Sequence, residues 1–301
     1  VRQLVQGQRP NWNGLLLSPV NARKLADQLA QMRGAAMKVG QLMSMDSGTM
    51  LPPEFAQILA RLRSEAQPMP PPQLKKVLTA YWGPQWLRQF ASFDVRPIAA
   101  ASIGQVHRAK TKDGRELALK IQYPGIRKSI DSDVDNIAML IKMSGLLPRD
   151  LDITSLLEQA KQQLHDEAQY QREGQYLEQF GKFLADKRDF KVPALYEDLT
   201  TPDILAMSYV SGHPIEALAS APQATRDRVV GLLIQLLLLE LFDFHLMQTD
   251  PNFANYQYNP ETQQVVLLDF GATRALCPIL VQQFRRLLNS GLENNKDASL
   301  H

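Results

Sequence analysis

Helical spacing of apolar residues dominates the first third of the chain. Leu25, Leu29, Met32, Ala36, Val39 and Leu42 recur every three or four positions and predict a helix over 21–45. Pro52 and Pro53 open a second, with Phe55, Ile58, Leu59 and Leu62 along one side. Pro68 and the run Pro70, Pro71, Pro72 break the chain, and a short helix is expected over 73–81 before Gly83 and Pro84. The pattern changes after Pro97. Residues 99–109 read as a loop between strands, Asp113 and Gly114 as a hairpin turn, and 116–121 as a strand. Helical periodicity returns over 130–145 and 154–183. Strands are expected near 192–196 and 204–210, then an apolar helix over 226–247. A loop through Asn255, a hairpin at Asn259 and Pro260, a strand over 265–268 and a helix over 278–290 complete the reading. No repeat or low-complexity tract interrupts it.

Composition acts mainly by exclusion. The chain has 301 residues, 45% hydrophobic and 21% charged, enough for a large core in one large domain or two lobes. Lys plus Arg is 33 against 31 for Asp plus Glu, a net charge of +2, which argues against a whole-protein polycation built for non-specific nucleic-acid binding. A single cysteine, Cys277, excludes an internal disulfide framework and a thiolate-cluster zinc site, and it is expected as a small buried hydrophobe. His107, His165, His213 and His245 have no metal-ligand spacing and read as structural. The most apolar run, VVGLLIQLLLLELF at 229–242, carries Gln235 and Glu240. It is shorter than the roughly 20 residues a bilayer core needs, so a buried core helix is expected. No signal or transit pattern follows Val1, which favours a bacterial cytoplasmic setting over a mitochondrial matrix.

Chemistry-bearing residues occur in a telling order. Lys120 ends a Leu-Ala-Leu-Lys strand. Glu173 lies on a following helix, Asp250 and Asn255 share a loop after the long apolar helix, and Asp269-Phe270-Gly271 follows a hydrophobic strand. Each is weak alone, but together they follow the protein-kinase signature set. Lys120 would neutralise the α- and β-phosphates of ATP, with Glu173 holding its ammonium. Asn255 and Asp269 supply the oxygen ligands that magnesium prefers, and Asp250 would orient the attacking hydroxyl or water. The phosphate-covering stretch Ala99, Ala100, Ala101, Ser102, Ile103, Gly104, with Val106 beyond it, has one glycine where kinases use three. Alanine disfavours positive φ, so altered ATP or ADP preference, or weak transfer to protein, is expected.

These residues carry a resemblance. Lys38-Val39-Gly40-Gln41, the alanine-rich stretch ending in Gln105-Val106-His107, the segment EAQYQRE at 167–173, and QTDPNFAN at 248–255 with LDFGATR at 268–274 resemble the UbiB-like (aarF-domain) atypical kinases, in the coenzyme Q branch. The similarity runs over about 21–290. It implies an α+β, bilobal protein-kinase-like fold with an N-terminal helical extension: 1–90 carrying Lys38, Gly40 and Gln41, an N-lobe over 91–207, and a C-lobe over 208–301. It implies magnesium-dependent ATP hydrolysis or phosphoryl transfer supporting ubiquinone biosynthesis, with ATP or ADP and Mg2+ as cofactors. Lys38 would pair with Glu167 and regulate the site, and Met207, Ser208 and Val210 would face the adenine. The expected partners are isoprenoid or phenolic quinone precursors and quinone-biosynthesis enzymes. The expected place is peripheral to the bacterial inner membrane, or the mitochondrial matrix in a eukaryote. One departure stands out: Gln169 occupies the position of the family's second acid, and a carboxamide carries no charge. Two rivals stay open, a true protein or small-molecule kinase, and a non-catalytic nucleotide-gated scaffold binding lipid or partner enzymes.

Overall fold

The computed structural model describes residue 29 and residues 32–45, 68–144, 152–250 and 252–292. The helix expected after Pro52 lies outside that set, as does most of 21–32. The chain forms two compact units, Val1–Arg108 with Lys120–Ala168, and Ala109–Leu119 with Gln169–His301.

The first unit is built on three mutually packed helices, α1 (Arg33–Met45), α3 (Ile126–Ser144) and α4 (Thr154–Glu167). Ala36, Val39 and Met43 of α1, Ile130, Val134 and Ile137 of α3, and Ala160 and Leu164 of α4 are buried, the stripe that helical spacing anticipates. A fourth helix, α2 (Pro71–Trp82), begins at a proline, whose missing N–H is harmless there, and stops at Gly83 with φ 79°. Its Trp82 ring lies 5.5 Å from Phe90 of β1 (Phe90–Phe93), and Phe93 stacks on His107 at 5.5 Å. His107 is structural, as expected. Its Nδ1 bonds the Asp94 carbonyl at 2.8 Å and its Nε2 meets Gln105 Nε2 at 2.8 Å. Burial, the dominant cause, holds its pKa below the usual value against the pull of Asp94.

The stretch expected as one loop over 99–109 is mostly strand. β2 (Ala99–Ala100) pairs with β3 (Gly104–Thr111), Ala99 opposite Val106. Only residues 101–103 turn, closed by the Ala101 N–H to Gly104 carbonyl bond of 2.9 Å. Helix α1 lies directly on this turn. A Cβ added to Gly34 would stand 2.4 Å from the Ser102 carbonyl oxygen. We expect Gly34→Ala to lower stability by about 1–3 kcal/mol through overpacking. Urea unfolding reads this as an earlier midpoint, and an unshifted midpoint would show that the contact carries no energy.

β3 and β4 (Glu116–Gln122) run through both units. In the second unit they form the hairpin read from Asp113 and Gly114, with Gly114 at φ 93° and Arg115 bonded to Asp198 at 2.9 and 3.0 Å. Here β6 (Ile204–Ser208) is buried, and α5 (Tyr170–Phe183) packs on it with Gly174 against Leu195 and Leu205. The helix expected over 154–183 is therefore two, α4 and α5, split at Ala168. Strand pairing near 192–196 shrinks to β5 (Phe190–Lys191) and a single bridge from Leu195 to Met207. A second sheet runs β5, β10 (Gln264–Leu267), β9 (Tyr256–Asn259), β7 (His213–Pro214). In it β10 is parallel to β5 and antiparallel to β9.

The apolar run is a surface helix, not a fully buried one. Helix α6 (Gln223–Leu239) buries Val229, Leu232, Leu236 and Leu239, while Val230, Ile234, Leu237 and Leu238 are exposed. It ends in a π turn, Glu240–Phe244, and His245 closes it in the left-handed region at φ 52°. The chain then forms β8 (Leu246–Gln248), where helix was expected to continue, antiparallel to β11 (Thr273–Ala275). Phe180 reaches Phe270 at 5.1 Å, and Phe183 stacks on Phe244 at 4.7 Å. The last helix, α7 (Pro278–Leu292), falls where periodicity put it. Cys277 is exposed, contrary to expectation, because it precedes α7 on the surface. Among the described residues no helix is long and apolar enough to cross a membrane.

Candidate active site

In the first unit the polar interest centres on one buried acid. Glu167, at the end of α4, faces Lys38 of α1, with Lys38 Nζ to Glu167 Oε1 at 2.5 Å. Both side chains are almost wholly buried. Ser102 of the alanine-rich turn donates its hydroxyl to the other carboxylate oxygen, Oε2. One carboxylate therefore ties α1, α4 and the turn together. A buried charge survives only with such paired partners. Gly40 and Gln41 follow Lys38 on the same helix, Gly40 buried and Gln41 half-buried. Lys120 is buried near the end of β4, 6% exposed.

The second unit gathers the acidic residues. Glu173 is buried in the first turn of α5. Asp250 and Asn255 lie in a tight loop. Its bonds are Asn252 N–H to Asp250 carbonyl at 2.8 Å, Asn255 N–H to Asn252 carbonyl at 2.9 Å, and Asn255 Nδ2 to the Asp250 carbonyl at 3.2 Å. The loop is laced to the segment carrying Asp269. Leu268 donates its N–H to the Asn255 carbonyl at 3.0 Å, and Thr249 gives both N–H and hydroxyl to the Ala272 carbonyl at 3.2 and 2.6 Å. Asp250, Asn255 and Asp269 are thus brought together by main-chain bonds. Asp269 Oδ1 accepts the Gly271 N–H at 2.9 Å, which fixes its rotamer. Met207, Ser208 and Val210 lie at and just beyond the end of β6. There the Ser208 N–H is bonded to Ala194 and the Tyr209 N–H to Glu116.

The donor set suits magnesium. With its amide nitrogen on the Asp250 carbonyl, Asn255 presents Oδ1 as a hard oxygen donor, as Asp269 presents its carboxylate. Among the described residues no group of three His, Cys, Asp or Glu side chains gathers as a cage. Magnesium typically takes one or two protein oxygens, with phosphates and water completing its octahedron.

The sequence profile of the ABC1 atypical kinase-like domain matches residues 61–300. The chain belongs to this ABC1 atypical kinase-like family. Among curated relatives, it is 39% identical over 288 residues to the mitochondrial atypical kinase COQ8 of Saccharomyces cerevisiae, covering 96% of this chain and 58% of that protein. It is 39% identical over 284 residues to mitochondrial atypical kinase COQ8B of Rattus norvegicus, covering 94% and 54%. The chain therefore spans little more than half the length of these relatives. Among solved structures, Rv3197 of Mycobacterium tuberculosis, in complex with erythromycin, superposes with a TM-score of 0.63 at 28% identity, over 92% of this chain and 72% of that one. The fold is kinase-like and α+β, as the resemblance implied.

Within this ABC1 domain, the carboxamide at 169 is exposed and sits at the start of α5. Three residues around the Asp250 loop were given no site role from the sequence: Glu240, Gln248 and Tyr256. The Tyr256 hydroxyl donates to Gln248 Oε1 at 3.0 Å. Burial first, then the Glu240, Asp250 and Asp269 carboxylates, push the Tyr256 hydroxyl well above the ordinary tyrosine value, so it stays a donor. The available signal was Glu240 itself, an acid inside an apolar run.

Proposed function

We propose that this ABC1 domain binds ATP or ADP and turns ATP over with magnesium, by hydrolysis or by phosphoryl transfer to a small molecule, in support of ubiquinone biosynthesis. The supporting observation is the main-chain lacing of Asn255 to Leu268 and of Thr249 to Ala272, which puts Asp250, Asn255 and Asp269 in one neighbourhood. In this reading Asn255 and Asp269 hold the metal, which when bound neutralises phosphate charge. Asp250 orients the attacking water or hydroxyl and accepts its proton. The resemblance gives Lys120 the α- and β-phosphates and Glu173 the part of its acidic counterpart. Adenine recognition falls to main-chain groups, the Ser208 carbonyl and the Val210 N–H, because the Ser208 and Tyr209 N–H groups are already bonded. Residues 1–90 form the regulatory extension, 91–207 the N-lobe and 208–301 the C-lobe.

The link to quinone chemistry rests on the resemblance and on 39% identity to COQ8 proteins. Isoprenoid or phenolic precursors and quinone-biosynthesis enzymes are the partners it suggests. The mitochondrial names of the relatives favour the matrix in a eukaryote, and the bacterial inner-membrane face is the counterpart. A turn pinned by Glu167 and pressed by α1 favours small acceptors and water over protein, since it has little freedom to adapt to a bulky substrate.

The test is nucleotide turnover with and without magnesium, in the presence and absence of phenolic or isoprenoid lipid mimics. Wild type should require the metal and be stimulated by the lipid mimic. Asp250→Asn should lose about two to four orders of magnitude in kcat, the span of a positioned general base. A rate equal to that of Asp250→Asn would point instead to a nucleotide-gated scaffold.

A further inference from the structure

Glu240 occupies a costly place for a carboxyl group. It opens the π turn at the end of α6, between Leu239 and Leu241, and is 3% exposed. Its Oε2 accepts the Gln248 N–H at 3.2 Å, and its Oε1 is buried with no hydrogen-bond partner among the described residues.

The Gln248 amide needs this acceptor for a geometric reason. Gln248 stands opposite Thr273 in the β8–β11 pair, and the Thr249 N–H bonds to Ala272. That pattern makes Gln248 and Thr273 a non-hydrogen-bonded pair, so the Gln248 N–H points away from the partner strand. A buried N–H without an acceptor is costly. Gln248 is also the junction of the catalytic loop. Its amide goes to Glu240, its side chain to the Tyr256 hydroxyl, and its backbone lies against the strand that follows Asp269-Phe270-Gly271. Asp250 comes two residues later.

We propose that Glu240 is a positioning residue of the turnover site, its buried carboxyl holding the Gln248 amide and thereby placing Asp250. It rests on the reading of the site as one that turns over ATP. The geometry calls for the neutral acid. Ionisation would strengthen the single bond to Gln248 but leave Oε1 charged and dry, and the turn would open to hydrate it. Burial pushes the carboxyl up to about 8, with the Gln248 N–H pulling it down only in part. The charged and titratable groups on the surrounding elements are Asp243 and His245 beside it and Arg226, Asp227 and Arg228 far along α6. Across from it are Arg285 and Arg286 on α7, Arg274 on β11, Tyr256 on β9, and Arg172, Glu173, Glu178 and Lys182 on α5. None of these makes a hydrogen bond or ion pair with Oε1. An acid whose pKa is raised by folding favours the closed turn below its ordinary value, and that advantage fades as pH climbs to about 8.

The test compares wild type, E240Q and E240A in two readouts, hydrogen exchange of the 246–250 amides without nucleotide, and ATP turnover with magnesium across the range about pH 6 to about pH 10. E240Q keeps an acceptor for the amide without an ionisable group. It should preserve exchange protection, hold kcat within about threefold, and lack both the loss of protection that wild type shows as pH climbs to about 8 and the fall in kcat that follows above it. E240A should exchange about tenfold faster or more in this segment and lose about tenfold or more in kcat with KM for ATP nearly unchanged. Wild-type exchange and kcat in E240A would overturn the proposal, as would an alkaline limb shared equally by wild type and E240Q. Should E240A fail to fold, wild type against E240Q decides alone. Should wild type turn over no ATP, the turnover reading fails, while exchange still reports whether Glu240 holds the loop.

Discussion

Asp269→Asn is expected to lower magnesium-dependent nucleotide turnover by on the order of a hundredfold or more while the protein stays folded. The variant separates charge from geometry. Asparagine keeps an Oδ1 that accepts the Gly271 N–H, now at 2.9 Å, so the turn after β10 and the packing of Phe270 on Phe180 should persist. The lost feature is the negative charge that draws a divalent cation against competing water. Steady-state turnover at saturating ATP, with circular dichroism as the folding control, checks it. Wild-type turnover in the variant would remove Asp269 from the site and leave the main-chain lacing of Asn255 to Leu268 without a catalytic meaning.

Lys38→Met is expected to cost about 3–5 kcal/mol, the usual result of deleting one partner of a buried ion pair and stranding the other. Methionine fills much the same volume, so packing of α1 on α4 changes little and the effect is electrostatic. The carboxylate of Glu167, 9% exposed, would keep only weaker company than the ammonium now at 2.5 Å. The double variant Lys38→Met with Glu167→Gln should recover part of that loss, because no buried charge remains uncompensated. Equilibrium urea unfolding of the two variants measures both. Equal midpoints for wild type and Lys38→Met would mean that the pair contributes nothing, and the turn carrying Ser102 would have to be held by other contacts. The same variants should loosen the alanine-rich turn, since Glu167 also accepts the Ser102 hydroxyl.

Much of this protein was legible from its amino acids. Helices α2, α3 and α7, the hairpin at Gly114 and the strand ending near Lys120 all fell where spacing and turn residues placed them. Two boundaries did not. Between 154 and 183 the periodicity runs on unbroken and contains no proline. The helix nonetheless stops at Ala168, whose carbonyl accepts Gln122 Nε2 at 2.8 Å and an Arg127 nitrogen at 2.5 Å. Those donors lie 46 and 41 residues upstream. Likewise nothing local marks the end of α6, because the apolar run continues through Leu241 and Phe242. A π turn and a left-handed His245 redirect the chain there so that β8 can pair with β11. The exposed outer stripe of α6 was equally invisible, since hydrophobicity alone does not say which faces find partners.

The linear order of side-chain chemistries marked out which groups are this chain's candidates for handling a nucleotide. Lys120, Glu173, Asp250, Asn255 and Asp269 carry their charge or carbonyl oxygen wherever the chain takes them, and their order is itself a one-dimensional property. Folding alone revealed the groups that act through distant partners. The Ser102 hydroxyl meets a carboxylate 65 residues away, the Ala168 carbonyl gathers two donors from β4 and α3, and Glu240 becomes a buried acid serving an amide whose direction depends on strand pairing. Burial and hydrogen-bond direction arise only when separate segments close on one another, and no window of residues along the chain encodes them.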